Sequence, residues 1–106
     1  MATKTRDIER SSMEENVMEE AAGMLKAVAH PARIAIVEFL DKGAHRNVTE
    51  IFEELGLEQA VASHHLGILK DKGVVSQNRR GKHVYYFLRH PRLVEIVDCI
   101  KDCCAN

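Results

Sequence analysis

The sequence lacks the signatures that announce chemistry. It has no GxSxG nucleophile elbow, no HExxH, no phosphate-binding P-loop and no glycine-rich dinucleotide fingerprint. Those absences speak against an enzyme. No apolar run approaches the ~18 residues a membrane-spanning helix requires, and the N-terminus has no apolar signal-peptide stretch. A cytoplasmic protein is therefore expected. Cysteine is scarce and sits at one end, as Cys99, Cys103 and Cys104. An odd number of thiols in a cytoplasmic chain argues against a disulfide framework. Net charge is also lacking, at −1, which taken alone speaks against a polyanionic partner.

The distribution of charge reverses that conclusion. Residues 1–58 carry 7 basic and 12 acidic side chains. Residues 59–92 carry Lys70, Lys72, Arg79, Arg80, Lys82, Arg89 and Arg92 against Asp71 alone. Fields are screened within ~8 Å at physiological salt, so a polyanion responds to the local patch rather than the total.

The basic segment begins inside the most organised stretch, Asn47 to Gly73. Asn47 is a good N-cap and Glu50 can reach back to it, the capping-box arrangement. Val48, Ile51, Phe52 and Leu55 recur at helical spacing, and Gly56 ends that helix in the left-handed conformation. In a second helix Ala62, Leu66 and Leu69 share one side, and Gly73 closes it. At 100° per residue, Ala60, Ser63, His64, Gly67 and Lys70 fall on the opposite side, with Gln59 leading. That face is small and polar. It suits close approach to a major groove, where amide, hydroxyl and imidazole groups meet base edges and phosphates. An ordinary solvated face is the alternative.

The rest of the chain supplies a frame. Its 106 residues are expected to form one domain over 1–106, with a small core that oligomerisation would help. Residues 1–11 are polar and aperiodic, hence expected to be flexible or partly helical. Ser12 with Glu15 forms a second capping box, opening a helix whose apolar stripe is Val17, Ala21, Met24, Leu25 and Val28. Pro31 starts a short helix with Ile34, Val37, Phe39 and Leu40, ending by Gly43. The segment Ala44-His45-Arg46-Asn47 reads as a loop. After Gly73 the period becomes two: Val74 to Asn78 is a strand, Arg79-Arg80-Gly81-Lys82 a turn, and His83 to Leu88 a second strand. Pro91 opens a last helix with Leu93, Ile96, Val97, Ile100 and Cys104 on one stripe.

The expected fold is mostly α with a small β-hairpin, in the order α-α-α-α-β-β-α: a winged helix-turn-helix. The stripes of the first and last helices lie outside the hairpin core, and such stripes mark interfaces. A homodimer is inferred through Val17, Ala21, Met24, Val28, Leu93, Val97 and Ile100. It would place two recognition helices on a two-fold, inverted-repeat DNA operator.

Three segments carry a family resemblance. LKAVAHPARIAIVEFL resembles the opening signature of the arsenic-repressor (ArsR) family. LGLEQAVASHHLGILKDKGVV resembles its recognition helix, and RRGKHVYYFL its wing and following strand. Together they span roughly residues 24–90. The resemblance implies a dimeric, DNA-binding transcriptional repressor that releases its operator in response to metals, metalloids, reactive sulfur or other cues. It places Gln59, Ala60, Ser63 and His64 against DNA, with Arg79, Arg80 and Lys82 on the wing.

The sequence also departs from the family pattern. Glu58 stands where a small hydroxyl residue is frequent, although it could cap the helix. Asn47-Val48-Thr49 replaces the third-helix Cys-Val-Cys run of many metal sensors. Of the last-helix histidine site only His90 remains, with Cys103 and Asn106 at the later positions. Glu38 stands near the second-helix cysteine of the persulfide sensors.

Individual side chains divide as follows. His65, beside Leu66 and Leu69, reads as a hydrogen-bonded core histidine, and His64 and Lys70 as DNA-facing. His83 reads as a phosphate contact or simply exposed, and His30 as a cap for the helix at Pro31. His45 has no assigned role, and Tyr85 and Tyr86 read as packing residues. Three cations within four residues, Arg79, Arg80 and Lys82, favour phosphate or minor-groove contact over mere solvation of a turn. Cys99, Cys103 and Cys104 admit three readings: buried seam residues, a soft-ion site (arsenite, cadmium or lead), or a redox switch. One regular helix cannot aim all three at one ion, since Cys104 is rotated ~100° from Cys103. Two alternatives to the metal-released repressor stay open: a winged-helix protein-interaction module, and a regulator of this type without a metal site.

Overall fold

A computed structural model describes the backbone of residues 4–105 and the side chains of residues 13–105. The elements are α1 (Lys4–Val28), α2 (Pro31–Phe39), β1 (Arg46–Asn47), α3 (Val48–Leu55), α4 (Gln59–Asp71), β2 (Val75–Arg80), β3 (His83–Leu88) and α5 (Leu93–Ala105). The three strands form one antiparallel sheet in the order β1-β3-β2. This is the expected winged helix-turn-helix with one strand added.

The helix ends follow local chemistry. His30 caps α2, its Nδ1 accepting from the Ala32 amide at 3.1 Å. Asn47 caps α3 through a complete capping box. Gly56 takes φ 65°, and the Leu57 amide reaches back to the Phe52 carbonyl, so α3 ends in a Schellman turn. At the end of α4, Gly73 takes φ 77° and the Val74 amide reaches the Leu69 carbonyl in the same way.

The core is built by Ile36, Val37 and Leu40 near α2, Ile51 of α3, Leu66 and Leu69 of α4, Val74, Val75 and Leu88 at the base of the hairpin, and Val94 and Val97 of α5. Among the described residues Ala27 alone represents α1 in the buried hydrophobic core, and Met13, Val17, Met18 and Leu25 of α1 are exposed.

Five expectations change. First, α1 starts at Lys4, so Ser12 lies inside a continuing helix and does not open one. Neither proline nor glycine interrupts residues 4–22, so nothing stops propagation there. The backbone of residues 4–11 is helical, one of the two states expected of that segment, while residues 1–3 and the side chains of residues 4–12 lie outside the described residues. Second, Arg46 and Asn47 are a strand, paired with Tyr86 and Tyr85. Third, β2 runs through Arg80, and the turn shrinks to Gly81-Lys82, closed by the Arg80–His83 pair. Gly81 at φ 62° in the first loop position fits the twist of a two-residue hairpin.

Fourth, α5 begins at Leu93, after a turn through Pro91. Fifth, Val97 is 7% exposed and belongs to the chain's own core. It lies on the side of α5 that also holds Val94 and Lys101, and Lys101 pairs with Glu38 of α2. Its burial needs no second subunit.

Candidate nucleic-acid interface

The second helix of the helix-turn-helix has two chemically distinct sides. Ala62, His65, Leu66 and Leu69 are buried. Gln59, Ala60, Ser63, His64, Gly67 and Lys70 are exposed, as the 3.6-residue period requires. A Cβ added at Gly67 would meet nothing within 4 Å. The exposed face is thus smooth and free of long apolar groups over its middle turns.

Glu58 is the N-cap of α4, but its side chain makes no capping hydrogen bond. Its carbonyl accepts from the Ala62 amide. The expected capping role is therefore absent, and the carboxylate is left exposed at the leading end of the helix.

The wing brings Lys82 and His83 to the same side. In β2–β3 the pairs run from Val75–Leu88 at the buried base to Arg80–His83 at the tip. Arg79, Arg80, Lys82 and His83 are all exposed. Arg79 Nε donates to the Gly81 carbonyl at 3.4 Å, which braces the turn. The Arg80 guanidinium sits 5.4 Å from the Tyr85 ring centre, a cation–π contact that leaves its charge outward. Tyr85 in turn meets His83 edge-on at 6.3 Å. Tyr86 packs against the core, as expected of a packing residue. Among the described residues none of these wing cations is tied up in an ion pair.

Helix and wing meet in an open cleft of about 300 Å³, lined by Thr49, Ser63, Lys82 and His83 together with Asn47 and Tyr86. The cleft joins Ser63 of α4 to Lys82 of the turn. It adds Thr49, at the start of α3, which sequence reasoning passed over. Its signal was a hydroxyl residue just inside a capped helix start. Lys70 lies elsewhere, in a cleft with Glu19, Glu20, Asp71, Arg89 and His90 at the far end of α4.

Two further histidines are placed. His65 is 6% exposed and accepts at Nδ1 from Arg33 Nε at 3.1 Å, the hydrogen-bonded core histidine the pattern implied. Burial pushes its imidazole below the ordinary histidine value, and His30, Arg33 and His64 push the same way. His45 stacks on Phe87 at 4.5 Å.

A second surface is apolar. Ala21, Met24, Leu25 and Val28 of α1 face Leu93, Ile96 and Val97 of α5 across a groove of about 280 Å³. Ile96 is 49% exposed and Ile100 57%. Of the seven residues expected at an interface, Val17, Ala21 and Ile100 are exposed, Met24, Val28 and Leu93 are half-buried, and Val97 is buried.

The cysteines do not converge. Cys99, Cys103 and Cys104 are free and exposed on α5. Among the described residues no group of three His, Cys, Asp or Glu side chains is placed to hold a metal ion. The helix persists to Ala105 and separates Cys103 from Cys104 by ~100°, so one chain alone does not fit a three-thiolate ion. Among the described residues no helix is long and apolar enough to cross a membrane.

Comparison with known proteins agrees with this geometry. The family model for bacterial regulatory protein, arsR family, matches residues 30–77. The transcriptional repressor PagR of Bacillus anthracis is 39% identical over 80 residues, 76% of this chain and 80% of that protein. The crystal structure of PagR superimposes with a TM-score of 0.73 at 36% identity, over 81% of this chain and 98% of that one. A homodimeric winged helix-turn-helix DNA-binding domain from Mycobacterium bovis gives a TM-score of 0.75 at 24% identity, over 87% of this chain and 84% of that one. That last likeness is one of fold.

Proposed function

The chain belongs to the arsR family of bacterial regulatory proteins, and we propose from this that it represses transcription as a homodimer bound to an inverted-repeat operator in double-stranded DNA. One observation carries the reading. A smooth polar helix face opens through one cleft onto a wing with three unpaired cations. In this reading α4 enters the major groove. Gln59, Ala60, Ser63 and His64 meet base edges or set the helix depth. Arg79, Arg80 and Lys82 lie along the phosphates or in the minor groove and supply affinity without sequence preference.

The dimer closes over the α1–α5 groove. Exposed Val17, Leu25, Ile96 and Ile100 form an apolar surface that a single chain leaves open. A two-fold partner would cover it and fix the separation of the two α4 helices.

Release from DNA is the second part of the proposal. The thiols of Cys99, Cys103 and Cys104 are soft ligands suited to arsenite, cadmium or lead. A site of that kind needs a ligand from the partner subunit, because one chain does not assemble it. A regulator without a metal site is the reading that the scattered thiols favour.

Selection of bound duplexes from a randomised pool tests the central proposal. Enrichment of one inverted repeat is expected. Retention of no duplex above background would instead favour the protein-interaction module.

A further inference from the structure

The junction of α1, α2 and α4 is held by one guanidinium. Arg33 Nη1 donates to the Ala27 carbonyl in the last turn of α1 at 3.2 Å. Its Nε donates to Nδ1 of His65 on α4 at 3.1 Å. Guanidinium has donors only and stays charged throughout the physiological range. The bond therefore exists only while His65 Nδ1 carries a lone pair, which requires a neutral ring with its proton on Nε2.

A second imidazole beside it is used in the same way. His30 accepts the Ala32 amide through Nδ1 and caps α2. The His30 and His65 rings lie 4.6 Å apart, and His64 lies 5.7 Å from His65. The charged and titratable groups acting on His65 are His30 from the α1–α2 junction, Arg33 from α2 and His64 from its own helix, with no carboxylate among them. Glu19 and Lys26 of α1 line the adjoining cleft with Arg33.

We propose that the Arg33–His65 contact is a proton-sensitive latch on the recognition helix, and that mild acidification lowers operator affinity by opening it. The proposal rests on the DNA-binding reading above. A proton added at Nδ1 turns the acceptor into a donor that faces another donor, and places two positive charges in contact. Arg33 must then swing away or α4 must shift. Either movement loosens the hold on the end of α1, the helix that carries the open apolar surface. The latch sits directly behind His64, on the exposed face.

The latch is isolated by a variant that keeps the acceptor but cannot titrate. In His65→Asn the amide oxygen is attached to Cγ, as Nδ1 is in the imidazole.

The experiment measures operator affinity of wild type and His65→Asn from about pH 7.5 down to about pH 5, because burial places the His65 titration below the ordinary histidine range. Wild type should lose affinity as the pH falls through that lowered range, approaching about tenfold per pH unit for each proton taken up on release from DNA. His65→Asn should hold or gain affinity. Parallel profiles for the two proteins, or a wild-type affinity that rises on acidification, would overturn the latch. A readout that needs no DNA separates this from failure of the DNA-binding reading. The imidazole nitrogen shifts of His65 should show a neutral ring with an unprotonated Nδ1 at neutral pH, and its titration should move the backbone amides around Ala27. Titration of His65 without movement there would overturn the latch even if operator binding were confirmed. Absence of DNA binding at neutral pH together with the expected shifts would sink only the operator part.

Discussion

The Glu50 amide donates to Asn47 Oδ1 at 2.8 Å while the Asn47 amide donates to Glu50 Oε1 at 3.0 Å, so the start of α3 is closed on itself in both directions. Asn47 is also the last residue of β1, paired with Tyr85 of the wing. One residue therefore fixes the helix start and links it to the strand that carries the basic turn. Replacing it with alanine should cost about 1 kcal/mol, the usual value of a lost N-cap, measured by urea unfolding. The main-chain pairing of β1 with Tyr85 is kept by alanine, so the loss should be confined to the start of α3. A variant as stable as wild type would show that the box is decorative.

Gly67 gives opposite expectations for folding and for binding. Alanine there meets no neighbour in the free protein and suits a helix interior better than glycine. Gly67→Ala should stabilise the fold by about 0.5–1 kcal/mol. If α4 lies in a major groove, the added methyl should weaken operator binding at the same time. Equal or tighter binding by the more stable variant would place this face outside the groove.

The two apolar sides of α5 should separate by mutation. Ile100 is 57% exposed and Val97 is 7% exposed. Ile100→Glu should give a folded monomer in sedimentation, with operator affinity lost. Val97→Glu should unfold the chain, since a charge without a partner is then placed in the core. A dimeric Ile100→Glu protein would refute the interface.

Exposed groups on α4 should affect which sequence is bound rather than how strongly duplex is bound. Ser63→Ala or His64→Ala should change discrimination at one or two operator positions by about 1–3 kcal/mol, measured against a panel of single-base operator variants. A uniform loss across the panel would reassign those side chains to the backbone.

Much of this was legible in the sequence because the relevant signals are local. The capping box at Asn47, the left-handed glycines at Gly56 and Gly73, and the two faces of α4 each depend on residues within a few positions of one another. The family resemblance rested on three short segments of the same kind. What escaped depends on partners distant in the chain. β1 is two residues long and has no periodicity to show; it is a strand only because β3 lies beside it. Val97 stands at the boundary between the inward and outward sides of α5, and only the position of α2 decides which it joins. The Arg33–His65 bond spans 32 positions and leaves no pattern in the sequence. Continuation of α1 back to Lys4 was hidden by a capping signature at Ser12 that the helix runs through.

The most direct test of the DNA-binding account is the salt dependence of operator affinity for wild type and for Arg79→Ala, Arg80→Ala and Lys82→Ala. If the wing lies on phosphates, each substitution should lower the slope of log affinity against log salt by about one unit per contact, hence about two per dimer, and should weaken all duplexes alike. Slopes identical to wild type in all three variants would contradict the placement of the wing on DNA, and with it the roles assigned to the recognition helix and its basic neighbour.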